Sequence, residues 1–170
     1  MDDPAWIVNA RKYLGLREIK GPQHNPHILQ WWKDIGAPFK DDETAWCGAF
    51  VGGVLSETGI KPPPGGASSQ AYLQMPVKLD KPALGCVVVF WRNSPTSGLG
   101  HVGFVVGKDQ HGNIMVLGGN QGDMVSIKPF ALSGPNCRIK GFRWPGIAPY
   151  PERYNLPLLN SDGTLSQNEA

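Results

Sequence analysis

Charge is scarce in this chain. Only 18% of its 170 residues are Asp, Glu, Lys or Arg, and 16 basic against 14 acidic side chains leave a net charge of +2. No basic cluster interleaved with aromatics occurs, so nothing indicates a nucleic-acid partner. Metal-ligating side chains are few as well. The four histidines are scattered, and the three cysteines form no Cys-x-x-Cys pair, so no zinc spacing is present. Three is an odd number, and at least one thiol is unpaired within the chain. A Cys86–Cys137 disulfide stays open but is not implied. No apolar run reaches the length of a membrane span. The start, Met1-Asp2-Asp3-Pro4, is acidic and has no signal-peptide pattern, which leads us to expect synthesis in a cytoplasm without an export signal. Repeats and low-complexity tracts are also missing.

Glycine and proline are plentiful, at 22 and 16 residues. With 41% apolar residues they suit one soluble domain with a real core, many turns and short strands. The first half reads as helices. Pro4 opens residues 4–14, where Trp6, Ile7, Ala10, Tyr13 and Leu14 share one face. Asn25-Pro26 reads as an N-cap with Pro at the first helical position, leading into Ile28, Leu29, Trp31, Trp32 and Ile35. The paired tryptophans read as core, with ligand stacking in a groove as the alternative. A third helix follows Trp46, and a short helical turn is expected over Ser68–Tyr72.

From residue 85 the pattern turns to short β runs. These are Gly85–Trp91, His101–Val106, Ile114–Leu117, Met124–Ile127 and Arg138–Trp144, with Asp109–Asn113 as a hairpin-type turn. Helices first and an antiparallel meander second predict an α+β fold with about five strands. The expected division is a catalytic domain over 1–146 and a Pro-rich, partly disordered tail over 147–170.

The organising stretch is Trp46-Cys47-Gly48-Ala49-Phe50-Val51. It sets a cysteine at the N-terminus of an apolar helix that Gly59 and Pro62-Pro63-Pro64 terminate. A thiol there feels the positive end of the helix dipole and free backbone N–H groups, both favouring thiolate. The same donors suit an oxyanion. The alternative is a small buried core cysteine.

A nucleophilic cysteine needs a base and a group that orients the base. His101 opens a strand directly after Gly98-Leu99-Gly100, where the sheet can hold it against the cysteine helix. His24, His27 and His111 fall in or near polar loops and turns and read as surface residues. Asn120, just past the next strand, is the candidate orienter, with Gln121 and Asp123 as fallbacks. A plain turn at Gly-Asn-Gln-Gly is the alternative.

As a set, Trp46-Cys47-Gly48-Ala49-Phe50-Val51, Gly100-His101-Val102-Gly103-Phe104, Leu117-Gly118-Gly119-Asn120-Gln121 and Arg143-Trp144-Pro145 resemble the CHAP and NlpC-type cell-wall cysteine peptidases and amidases. These form a papain-like superfamily, and the pattern is similar to its short phage-associated branch. The resemblance spans roughly residues 3–146 and implies a papain-like architecture. It implies Cys47 as nucleophile, His101 as base and then acid, and Asn120 as orienter, with the Cys47 N–H as an oxyanion donor.

Two positions depart from the family. Gly85-Cys86 stands where Gly-Asp is common, and Gly118 stands where many CHAP domains carry Glu. Some members hold calcium in an N-terminal acidic loop; no Asp-x-Asp-x-x-x-Gly pattern occurs here, so no metal or other cofactor is expected. Substrate-binding candidates are Trp46, Glu43, Gln121 and Trp91, with Phe39 and Tyr72 as further groove walls and helix capping as the other role for Glu43.

The implied substrate is peptidoglycan, cut at an amide of the stem peptide or of the muramyl–peptide link. The implied setting is a monomeric phage lysin or tail-borne lytic protein, reaching the wall through a holin or another machine. Rival readings are an antibacterial effector with an immunity protein, a catalytically idle wall-binding module, or a hydrolase of another amide or acyl chain.

Overall fold

In the computed structural model, which describes residues 2–42 and 44–169, three helices precede a six-stranded sheet. Helix α1 (Ala5–Arg11) starts after Pro4 and buries Ile7 and Ala10. It is shorter than its apolar pattern predicts, because the chain unwinds into a turn ending at Gly15, whose φ is +91°. Helix α2 (Pro26–Asp34) begins as expected: the Asn25 side chain accepts the His27 N–H at 2.9 Å and Pro26 takes the first position. Trp31 and Trp32 are both buried in the core.

Helix α3 (Cys47–Glu57) is buried from Cys47 through Leu55. A helix covered on all sides needs small residues where its neighbours come closest. A Cβ at Gly48 would run into the Gly66 carbonyl, and one at Gly53 would strike the fully enclosed Trp31 indole. The Tyr72 hydroxyl, on a 3-10 turn over Ser69–Gln74, donates to the Gly48 carbonyl at 2.6 Å. These contacts fix the height and rotation of the helix, and hence the position of Cys47.

The strands are β1 (Lys78–Leu79), β2 (Val87–Trp91), β3 (Gly100–Lys108), β4 (Ile114–Gly118), β5 (Ser126–Phe130) and β6 (Ile139–Arg143). They lie in the order β1-β6-β2-β3-β4-β5, every neighbour antiparallel. The sheet is one strand larger than the sequence pattern indicates, because Lys78–Leu79 pairs with the outer side of β6. The fourth expected strand starts later than read. Met124 and Val125 pair instead with the segment after α1, with Val125 N–H donating to Leu16 O at 2.8 Å and Gly15 N–H to Val125 O at 2.9 Å. Pro129 is accommodated because β5 is an edge strand.

Alternation along the strands gives the sheet two apolar faces. Val87, Val89, Val102, Phe104 and Val106 pack on the helices. Val88, Phe90, Val105, Val116 and Phe130 form a second cluster on the opposite face.

The segment after residue 146 carries one short 3-10 turn, Pro151–Tyr154, and then runs along the sheet. Lys108 N–H donates to Pro157 O, Leu159 N–H to Lys108 O, and Ser166 N–H to Pro129 O, at 2.9, 2.7 and 2.9 Å. The Ser161 hydroxyl donates to Asp109 at 2.6 Å. Asp109 also accepts the N–H groups of His111 and Asn113 across the β3–β4 turn. The Ser166–Pro129 contact covers the β5 edge, which would otherwise present unpaired backbone.

The packing of α3 on α2 yields a direct test. Gly53→Ala gains helix propensity but forces Cβ into Trp31, which has no room to move. The expected net loss is about 2 kcal/mol, read from urea denaturation; a neutral or stabilising result contradicts the described packing.

Candidate active site

Cys47 is the first residue of α3, 4% exposed, at the helix N-terminus that its spacing predicts. His101 lies near the start of β3 and is fully buried. Pairing between β3 and β4 begins only at Phe104–Leu117, so the backbone at Val102 is not closed off by the β4 ladder. The backbone N–H of Val102, one residue from His101, favours the thiolate form of Cys47, as do the N–H groups of Gly48 and of Cys47 itself.

The imidazole stands on the other face of the sheet. It is parallel to Phe130 at 5.6 Å and to Phe90 at 6.0 Å. Cys47 thus belongs to the helix side of the sheet and the His101 ring to the opposite side. They are not hydrogen-bonded to each other, and His101 Nδ1 is buried without a partner.

The other ring nitrogen is fixed. His101 Nε2 lies 2.9 Å from Gln121 Oε1. The Gln121 amide nitrogen donates to the carbonyls of Val116 at 3.1 Å and Ser126 at 2.8 Å. Its NH₂ is therefore committed, and its oxygen must be what faces the ring. An oxygen there accepts, so Nε2 carries the proton. Nδ1 is left with a free lone pair, the form a thiol proton requires.

Gly118 makes room for this arrangement. A Cβ at that position would clash with Gln121 Oε1 and approach His101 Nε2 to 3.1 Å. The side chain of Gln121 thus fills the space that a side chain at residue 118 would occupy.

The contact expected of Asn120 is therefore made by its neighbour. Asn120 is buried with φ +61°, a left-handed turn conformation that Asn tolerates. That backbone turn sends its Nδ2 to the Glu169 carbonyl at 3.2 Å, and leaves Oδ1 without a partner. Trp46 does not line a groove: it is fully buried, stacks on Trp31 at 6.3 Å, and donates its indole N–H to Glu18 at 2.7 Å. Tyr72 is core as well. Phe39 is partly exposed and leans on Trp32. Trp91 borders a 260 Å³ pocket together with Phe90, Phe130 and Arg138. Glu43 lies outside the described residues.

Two groups near the site carried no sequence signal. Arg92, directly after β2, places its charge where it acts on both Cys47 and His101, and its Nη1 is buried without a partner. Gln70 donates to the Phe90 carbonyl at 3.0 Å and likewise leaves its Oε1 unpartnered. Nothing in their local sequence distinguishes them from loop residues. The three thiols are free; Cys86 is fully buried and Cys137 partly so. Among the described residues no cluster of His, Cys, Asp and Glu suits a metal, and no helix is long and apolar enough to cross a membrane.

The electrostatics reverse the sequence expectation of a thiolate. Burial pushes the Cys47 thiol up, and this outweighs the lowering by the surrounding N–H groups and by Arg92. Burial also pushes His101 down from its ordinary 6.5 to about 4, against the hydrogen bond to Gln121 and the charge of Glu169. Both changes have one cause: each charged form would have to be stripped of water. The resting site is a neutral thiol beside a neutral imidazole.

His101 binds a proton more readily in the unfolded chain than in the native one. Its contribution to stability is therefore complete above pH 6.5 and is lost as the pH falls through about 4. The expected loss over that window is about 3 kcal/mol, followed by denaturant unfolding at each pH. A His101→Gln variant removes this step and leaves the carboxylate-dependent loss at lower pH, where Asp109 is held down to about 2 by the Ser161, Asn113 and His111 donors despite its partial burial.

Comparison with solved structures finds an NlpC/P60 family protein from Bacillus cereus ATCC 10987. It is 20% identical, with a TM-score of 0.49, over 85% of this chain and 41% of that one. The chain thus spans well under two thirds of that protein's length. No curated protein sequence matches. Among family models, that of the CHAP domain matches residues 39–120, from the loop before α3 through His101 to Asn120.

Proposed function

We propose that the protein is a peptidoglycan hydrolase that cuts an amide bond by thiol catalysis. The observation that carries the reading is Cys47 at the start of α3 together with His101 near the start of β3, whose ring is set by Gln121 in the tautomer that accepts a proton.

In this mechanism the Cys47 proton passes to His101 Nδ1 as sulfur bonds to the substrate carbonyl carbon. The oxyanion is received by the N–H groups at the start of α3. The C–N bond then breaks, and the leaving amine takes the proton from the imidazolium. Water, deprotonated by His101, attacks the thioester; the C–S bond breaks and the thiol is restored. Gln121 holds the ring throughout as a positioning residue. Asn120 supplies a donor beside it. Trp91 and the pocket next to it line the substrate side. The setting we propose is a phage lysin or tail-borne lytic protein, which the motif order supports.

Digestion of purified peptidoglycan, with fragments identified by mass spectrometry, tests this. Wild type should release peptide or peptide-bearing fragments, whose masses distinguish an amidase from an endopeptidase. Cys47→Ala should release none. Undiminished release by Cys47→Ala would overturn thiol catalysis.

Gln121→Ala should lower turnover by about a hundredfold. Because its hydrogen bond raises the His101 pKa, its loss should also move the acid limb of the pH–rate profile to lower pH. A loss of rate with an unmoved profile would make Gln121 merely structural.

A further inference from the structure

With Cys47 4% and His101 0% exposed, no substrate reaches the pair in this conformation. The cover over the His101 side is the chain itself. Residues 165–167 wall one side of the pocket that Phe90, Trp91, Phe130 and Arg138 form, and the two residues that follow enter the site.

Their contacts are those that a peptide substrate makes. The Gly122 N–H donates to the Asn168 carbonyl at 2.7 Å. The Asn120 amide donates to the next carbonyl, that of Glu169, at 3.2 Å. Two successive main-chain carbonyls are thus captured by groups on the turn that carries Gln121. The Glu169 carboxylate, 2% exposed, pairs with Arg138 at 2.5 Å and accepts from the Ser166 hydroxyl at 3.0 Å.

Arg138 Nη2 also donates to the Ser166 carbonyl at 3.4 Å, and the residue has anchors outside the segment as well. Its Nη1 donates to the Trp91 carbonyl at 3.3 Å, and its guanidinium lies over Phe90 and Phe130 at 5.9 and 5.7 Å. Those are the rings that flank His101. A guanidinium so fixed and mostly covered calls for an anion.

We propose that Arg138, the Asn120 amide and the Gly122 N–H form a subsite for an acidic residue of the peptide substrate, and that residues 165–169 occupy it in the resting protein. This rests on the peptide-amide reading above and adds the substrate's charge. An acidic peptide displaces the segment and takes over its two carbonyl contacts and its ion pair. The departure of the segment also exposes His101. The segment suits displacement, being held by a few backbone bonds and one ion pair, with little apolar burial.

The test reads the imidazole, not hydrolysis, so it stands apart from whether peptidoglycan is cut. The wild-type chain, Glu169→Gln and Arg138→Gln are treated with diethyl pyrocarbonate, and modification of His101 is followed by site-resolved mass spectrometry. The probes are N-acetyl-Ala-Glu-amide and N-acetyl-Ala-Gln-amide. Glu169→Gln should be modified at His101 about tenfold faster than wild type, and the glutamyl probe should slow it again while the glutaminyl probe does not. Arg138→Gln should be modified as fast, without protection by either probe.

An unchanged rate in Glu169→Gln, or equal protection by both probes, overturns the proposal. Should either variant lose its cooperative melting, hydrogen exchange on wild type decides. The glutamyl probe should deprotect the Ser166 amide within the displaced segment, and unaltered exchange overturns the proposal equally.

Discussion

The Gln121 amide is the contact on which the site turns. Its two N–H donors are engaged by the Val116 and Ser126 carbonyls, in the middle of β4 and at the start of β5. That leaves one orientation for its oxygen, and the oxygen dictates where the His101 proton resides. The tautomer is thus set by sheet geometry. Gly118 belongs to the same constraint, since any side chain there would collide with the amide. The β4–β5 connection does more than join two strands; its left-handed residues Asn120 and Asp123 turn the backbone so that Gln121 can reach back to the ring.

Burial supplies the second constraint. A cysteine at a helix N-terminus is usually discussed as an activated thiolate, and the N–H groups around Cys47 do favour that form. Here the cost of removing charge from water is the larger effect, because Cys47 is buried between helix and sheet. Burial also lowers His101. A site in this state is protected from adventitious thiol chemistry, and its activation is a question of hydration and access.

Helices α2 and α3 were legible because their signals are local: Asn25-Pro26 as cap and first residue, and Gly59 with three prolines as a stop. The β3–β4 hairpin was legible for the same reason, through the turn at Asp109–Asn113. The misplaced start of β5 has a non-local cause, since Met124 and Val125 pair with residues more than a hundred positions earlier. Trp46 was read as a groove wall from its place beside Cys47, yet packing against Trp31 and Glu18 draws it inward. Adjacent residues on a helix start point in different directions, and only the tertiary surroundings decide which one faces the site.

The sequence by itself determined the α+β order, the cysteine at a helix start and the histidine at a strand start. Each follows from apolar periodicity, caps and turn residues within a short window. The tertiary structure decided which side chain orients the histidine, whether the pair is charged, and what covers it. Those depend on distances between segments far apart in the chain, on an amide's choice among competing carbonyls, and on the loss of water around ionisable groups. Arg92 and Glu169 stand among loop residues and Arg138 at the start of an expected strand, and they gain meaning only where the fold lets their charges act on His101.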